Sequence, residues 1–152
     1  MSKPKVLFLC TGNAARSQMA EAFLRAYAGD HFDVYSAGLK PREINPLTIR
    51  VMAERGFDLA GQRAKGLDEY LGTVHFGYLV TVCQRAHEEC PVFPFVHERL
   101  SWPFEDPAKA EGSEEVRLDA FRRVRDEIDG RIRHWVQDEL HLQIQVPSEP
   151  AS

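Results

Sequence analysis

The stretch Val6-Leu7-Phe8-Leu9-Cys10-Thr11-Gly12-Asn13-Ala14-Ala15-Arg16-Ser17 constrains the fold more than any other part of the chain. Its apolar opening, with no polar residue from Val6 to Leu9, reads as a strand covered on both faces. Ser17 to Tyr27 follows with helix formers at helical spacing. A strand joined to a helix through five small or polar residues is the start of an α/β unit. The same geometry gathers three things at one point: the Cys10 thiol, the backbone N–H groups of a turn that opens a helix, and the Arg16 guanidinium. Together they make a site for a tetrahedral oxyanion with a nucleophile beneath it.

The rest of the chain continues the alternation. Residues 32–38 read as a second strand ending on a glycine turn. Asn45-Pro46 is a helix start, with Asn as N-cap and Pro at the first helical position, and the helix stops at Arg55-Gly56. A short helix is expected at 67–71. Residues 76–82 read as a third buried strand, ending on Cys83. Gln84 to Glu89 reads as a polar, poorly anchored connection to Cys90-Pro91. A fourth strand, weakened by prolines, is expected across 93–96 and 99–102. Ser113 to Leu140 reads as one long helix with a stripe of Val116, Phe121, Val124, Ile128, Ile132, Trp135 and Leu140, which Gly130 interrupts. The fold class implied is α/β, a single three-layer domain with a parallel sheet flanked by helices and right-handed crossovers. Two strands ending on cysteines bring both thiols to the carboxyl edge of that sheet, where open α/β sheets bind ligands. We read residues 1–140 as one catalytic domain and 141–152 as a disordered tail.

At 152 residues the chain fits one domain, which buries roughly 70% of the surface its unfolded form exposes. A net charge of −4 gives no reason to expect nucleic acid or a membrane surface as partner. No apolar run approaches the ~20 residues that span a bilayer, and the first strand starts too early to leave room for a signal peptide. The expectation is a cytoplasmic monomer. Three cysteines are too few for a disulfide scaffold, and in a reducing compartment they are free, redox-active or catalytic. A structural zinc site at Cys83, His87 and Cys90 lacks a second ligand pair at the usual spacing, so no metal is expected.

Each part of the loop has a chemical task. A helix N-terminus and a nearby Arg favour the Cys10 thiolate. Thr11, Gly12, Ala14 and Ala15 let successive N–H groups turn inward, and Asn13 tolerates a strained conformation while bonding neighbouring backbone. Arg16 offers paired donors to two oxygens of the anion, and Ser17 can donate to the thiolate.

Leu9-Cys10-Thr11-Gly12-Asn13-Ala14-Ala15-Arg16-Ser17-Gln18-Met19-Ala20-Glu21 resembles the phosphate-binding loop of low-molecular-weight protein tyrosine phosphatases and of the thioredoxin-coupled arsenate reductases related to them. The resemblance continues through Ser36-Ala37-Gly38, Asn45-Pro46, Val80-Thr81-Val82-Cys83, Cys90-Pro91 and the run from Trp102 to Ala108, and covers residues 5–135. It implies a four-stranded parallel sheet close to the flavodoxin arrangement. It also implies that Asp106, of Asp106-Pro107, is the acid that protonates the leaving group, with Glu105 as the alternative. Hydrolysis of a phosphate ester needs one thiol, whereas reducing arsenate to arsenite takes two electrons, which a thiol pair supplies by becoming a disulfide. The segment from Cys83 to Pro91 resembles the redox segment of the reductases. The resemblance therefore implies a relay: Cys10 attacks arsenate, Cys83 attacks Cys10, Cys90 attacks Cys83, and thioredoxin reduces the Cys83–Cys90 disulfide. No cofactor is implied. Gln84 to Glu89 would have to move, and Arg85 or His87 can help ionise a thiol.

The chain departs from the family in three places. Ala15 stands where many members carry a further Cys. Lys65 stands where some reductases complete a potassium site with Asn13, Glu21 and Ser36, so potassium is not expected. Ala108-Lys109-Ala110 follows Asp-Pro where many tyrosine phosphatases have aromatic residues. The competing readings are a low-molecular-weight tyrosine phosphatase working through a Cys10 phospho-intermediate, and a non-catalytic oxyanion or redox sensor.

Overall fold

The structure, a computed structural model, describes residues 3–90 and 96–145. Four strands form one parallel sheet in the order β2-β1-β3-β4: β1 Lys5–Cys10, β2 Asp33–Gly38, β3 Tyr78–Thr81 and β4 Glu98–Ser101. The unbroken apolar run of β1 follows from its central place, with strands on both edges and both faces covered. β4, which presents exposed Glu98 and Arg99, is an edge strand, where charge discourages further pairing. The expected α/β class, strand number and parallel sense are those observed.

The helices are α1 Arg16–Ala28, α2 Pro46–Ala53, α3 Gln84–Glu89 and α4 Glu114–His134. Asn45 caps α2 by accepting the Leu47 N–H at 2.9 Å. The helix ends in paired bonds from Phe57 N to Met52 O and from Gly56 N to Ala53 O, with Gly56 at φ 82. Only a residue without a Cβ takes that conformation cheaply, so Gly56 fixes the stop. The expected short helix at 67–71 is one 3₁₀ turn, Leu67–Glu69.

Three expectations need correction. The third strand stops at Thr81, and Cys83 does not end it. The Cys83 sulfur instead accepts the Ala86 N–H at 3.3 Å and caps α3. Gln84 to Glu89, expected to be a loose connection, is that helix. Its outer face carries Gln84 bonded to Glu88 and Arg85 paired with Glu89, and Ala86 is its one buried residue. Val116, placed in the α4 stripe, is 52% exposed, and the buried stripe begins at Leu118. The fourth strand lies at Glu98–Ser101; of the residues expected to begin it, 93–95 lie outside the described residues.

α4 packs against α1 and α2. Beyond His134 it widens into a π turn, Trp135–Glu139, which seats Trp135 in the core. The Trp135 ring stacks on Phe32 at 5.6 Å and meets Tyr78 and Trp102 edge-on at 5.4 and 5.5 Å. Trp102 in turn touches Phe8 of β1. A Trp135→Ala variant leaves a void at this junction and is expected to lose about 3–5 kcal/mol of stability, read by urea denaturation. Residues 141–145 turn back along α1, with Gln145 N bonded to Tyr27 O and with Leu142 and Ile144 against the core. The remainder of the tail lies outside the described residues. Among the described residues no helix is long and apolar enough to cross a membrane.

Candidate active site

β1 delivers Cys10, 2% exposed, to the carboxyl edge of the sheet at the point where the chain's crossovers diverge to β2 on one side and β3 on the other. The loop after it is held from outside. Leu39 N, Lys40 N, Arg42 N and Asn45 N donate to the carbonyls of Cys10, Thr11, Gly12 and Ala14 at 2.8–3.0 Å, and Thr48 Oγ1 adds a second bond to Ala14 O at 3.2 Å. With these carbonyls engaged by the 39–48 segment, the N–H groups of the loop are left to face the cleft. Among the described residues no side chain caps α1, which leaves its first N–H groups available to an anion.

Asn13 takes the left-handed conformation in the loop, φ 51, and is fully buried. Its amide is saturated. Nδ2 donates to Ser17 Oγ at 2.8 Å and Ser36 Oγ at 2.9 Å, and Oδ1 accepts from Gln18 Nε2 and from Lys65 N, each at 2.8 Å. Gly38 makes room for this arrangement. A Cβ there would lie 2.8 Å from both Asn13 N and Gly12 C, so its role is close approach rather than the expected turn. The Lys65 ammonium lies among the groups the resemblance assigns to a cation site, 3.3 Å from Ser36 Oγ, 2.7 Å from Arg63 O and 3.6 Å from Glu21 Oε1.

The Cys10 thiol is held well below its ordinary pKa. The hydrogen bond from Cys83 contributes most, outweighing burial, and the Arg16 charge, the Ser17 hydroxyl and the Asn13 backbone add to it. Asn13 donates to Ser17 Oγ, which leaves the Ser17 proton for the thiolate. Cys83 moves the opposite way. The Cys10 hydrogen bond and burial push it up, against smaller help from Thr11, whose Oγ1 lies 3.4 Å from the sulfur, and from Ala86 N–H. The two neighbouring thiols thus move in opposite directions, Cys10 towards the thiolate and Cys83 towards the thiol. Cys90, at the far end of α3, is raised by burial and lowered by Arg99. Arg99 Nη2 also donates to His87 O at 3.0 Å. Arg99 is thus a cation acting on Cys90, whereas Arg85 is engaged by Glu89.

Arg16 Nη1 donates to Phe104 O at 3.0 Å, and Nη2 lies 3.7 Å from Asp106 Oδ2. Asp106 Oδ1 accepts the Ala108 N–H at 3.0 Å, which caps a 3₁₀ turn, Pro107–Lys109. Glu105, the alternative acid, is 71% exposed at its side chain and pairs with Arg123 at 2.6 Å. Cys10, Arg16, Cys83 and Asp106 line one cleft of about 900 Å³. Among the described residues no group of three His, Cys, Asp or Glu side chains converges as a metal site, and Cys83 and Cys90 stand at opposite ends of α3.

Gln18, given no role of its own from the sequence, is fully buried and donates to Asn13 O and Arg63 O at 3.0 and 2.9 Å. Thr48 was missed as well. Gln18 follows the loop in the first turn of α1, where a buried amide is costly without a full set of partners. That position was the available signal.

The low molecular weight phosphotyrosine protein phosphatase family model matches residues 5–146. An arsenate reductase of Halalkalibacterium halodurans is 44% identical over 137 residues, 90% of this chain and 98% of that one. Among solved structures, an arsenate reductase of Archaeoglobus fulgidus is 34% identical with a TM-score of 0.70, covering 88% of this chain and 99% of that one. A thioredoxin-dependent arsenate reductase of Corynebacterium glutamicum is 33% identical with a TM-score of 0.67, covering 91% of this chain and 63% of that one.

Proposed function

The chain belongs to the low molecular weight phosphotyrosine protein phosphatase family, and from that premise we propose that it reduces arsenate to arsenite by a three-cysteine relay. The observation that carries this reading is that Cys83 lines the same cleft as Cys10, close enough for each thiol to shift the other's pKa in the opposite direction. Ester hydrolysis has no use for a second thiol there. The arsenate reductase relatives support the choice of oxyanion.

In the first step Cys10 attacks arsenic, an S–As bond forms, an As–O bond breaks, and the Asp106 carboxyl gives its proton to the departing hydroxide. Cys10 then carries no negative charge. The largest influence holding the Cys83 proton in place is gone, while Thr11 and Ala86 N–H remain to stabilise a Cys83 thiolate. Arsenylation of the first thiol thus licenses the second. Cys83 attacks the Cys10 sulfur, the S–As pair of electrons passes to arsenic, and arsenite leaves. Cys90 next attacks Cys83 and releases the Cys10 thiolate. Seven residue steps at ~1.5 Å put the ends of α3 about 10 Å apart, beyond the roughly 7 Å between Cα atoms that a disulfide spans. α3 must therefore uncoil in this step. With Ala86 its only buried residue, opening it sacrifices little apolar burial. A thioredoxin-type dithiol would restore the Cys83–Cys90 disulfide to thiols by exchange, as the name of the Corynebacterium relative suggests. We take the working form to be a cytoplasmic monomer.

The test is arsenate-dependent NADPH oxidation with thioredoxin and thioredoxin reductase, paired with mass-spectrometric mapping of the disulfide after one round. Absence of both turnover and a Cys83–Cys90 bridge sinks the reading. Turnover of phosphotyrosine peptides that survives loss of Cys83 and Cys90 would assign a phosphatase instead. Asp106→Asn is expected to lower kcat by about 10²–10⁴-fold, the usual yield of a positioned acid. Inhibition by phosphate should change little in that variant, because phosphate needs the loop and not the proton.

A further inference from the structure

We propose that Arg42 is a second anion-contacting guanidinium of this site, one that captures the incoming tetrahedral oxyanion at the mouth of the cleft and takes no part in the displacement. The proposal rests on the reading that the cleft admits an oxyanion.

Arg42 is fixed relative to the loop at its backbone, where its N–H donates to Gly12 O at 2.9 Å. Its side chain lies across the same residue: a Cβ on Gly12 would find Arg42 Cδ at 3.5 Å and Cγ at 3.6 Å. The aliphatic stem thus lies against the loop at Gly12, and Arg42 is one of the residues that line the cleft holding Cys10 and Arg16. The residue also borders the neighbouring hollow lined by Ile44 and Leu59, which leaves the head group room to turn.

The charge pattern of the rim singles it out. Arg16 already contacts Asp106 and the Phe104 carbonyl, Arg85 pairs with Glu89, and Glu105 with Arg123. Arg42 enters no ion pair or side-chain hydrogen bond among the described residues, its neighbour Glu43 included. The only other cleft cation in that condition is Lys109, on the exposed turn across the cleft. An Arg held at its stem and unpaired at its head offers two parallel donors to an oxyanion, and loses less freedom on binding than an untethered side chain would.

The test compares alkylation of Cys10 by iodoacetate, an anion, with alkylation by the neutral iodoacetamide, followed on the Cys10 peptide by mass spectrometry. Arg42→Gln keeps most of the stem over Gly12 and removes the charge. The expected result is that the iodoacetate-to-iodoacetamide rate ratio falls about 3- to 5-fold, the upper scale of one solvated ion pair. Arg42→Lys should restore it to within about twofold, and the difference should shrink as salt rises. An unchanged ratio, or an equal slowing of both reagents as a disturbed loop would give, overturns the proposal. Arsenate turnover does not enter this measurement. A shifted ratio in a protein that fails to reduce arsenate keeps Arg42 and discards the arsenate reading; normal turnover with an unmoved ratio does the reverse.

Discussion

Cys83→Ser is expected to stop arsenite release, a loss of more than about 10³-fold in turnover of the kind seen when one member of an interdependent catalytic set is removed. The serine hydroxyl can take the Cys83 sulfur's bond from Ala86 N–H, so α3 stays capped and the fold is not at issue. What disappears is the sulfur that must attack Cys10. The variant can arsenylate Cys10 and then has no neighbouring thiol with which to draw electrons from the S–As bond. Cys90→Ser fails one step later: each molecule should release a single arsenite and stop with a Cys10–Cys83 disulfide. Counting arsenite per protein without thioredoxin separates the two variants, with none for the first and one for the second. Multiple turnover by Cys83→Ser would mean that Cys90 or an external thiol reaches Cys10 directly, and the order of the relay would fall. A further readout comes from Cys83→Ala. The Cys83 hydrogen bond is the largest influence lowering Cys10, so its removal should move the midpoint of Cys10 alkylation against pH upward.

How well each region could be read from sequence follows from how locally its structure is determined. β1 was legible because a strand covered on both faces has no polar positions, and α2 because Asn45, Pro46 and Gly56 each carry a backbone conformation in their own chemistry. Lys65 lies beside Glu21 and Ser36, as the resemblance to the reductases' cation site implies. α3 was not legible. Its hydrophobic contact is one alanine and its cap is a cysteine sulfur, so five polar residues around that alanine look like a loop until Cys83 is seen to accept from Ala86. The π turn that seats Trp135 leaves no mark, because the widening is set by the Phe32, Tyr78 and Trp102 rings it must reach. Gln18 was hidden for the opposite reason: an amide in a helix is usually a solvated one, and its partners come from the loop and from residues 62 and 63. Both the support of the loop and the exchange of partners between thiols are long-range properties, and these are what separates a chance Cys-x5-Arg from a working site.

Cys10→Ser should abolish reduction entirely, by more than about 10⁴-fold, while the loop keeps its grip on phosphate. The substitution changes one atom and little volume. It replaces a thiol that Cys83, Arg16 and Ser17 bring to the thiolate with an alcohol that none of them can ionise near neutral pH. In the parent protein the thiolate is the reactive form, present above the depressed pKa of Cys10 and lost as pH falls through it, so alkylation should remain fast well below the range of an ordinary thiol. Binding depends on other groups. The loop N–H donors are organised by Asn13 and by the carbonyl bonds from residues 39–45, none of which involve the sulfur. Removing a negative charge from beneath the anion should strengthen phosphate binding, measured by calorimetry. If phosphate binding is lost together with activity, the loop is being organised through the Cys10 sulfur, and the separation drawn here between a scaffold that holds the oxyanion and a thiolate that attacks it would not stand.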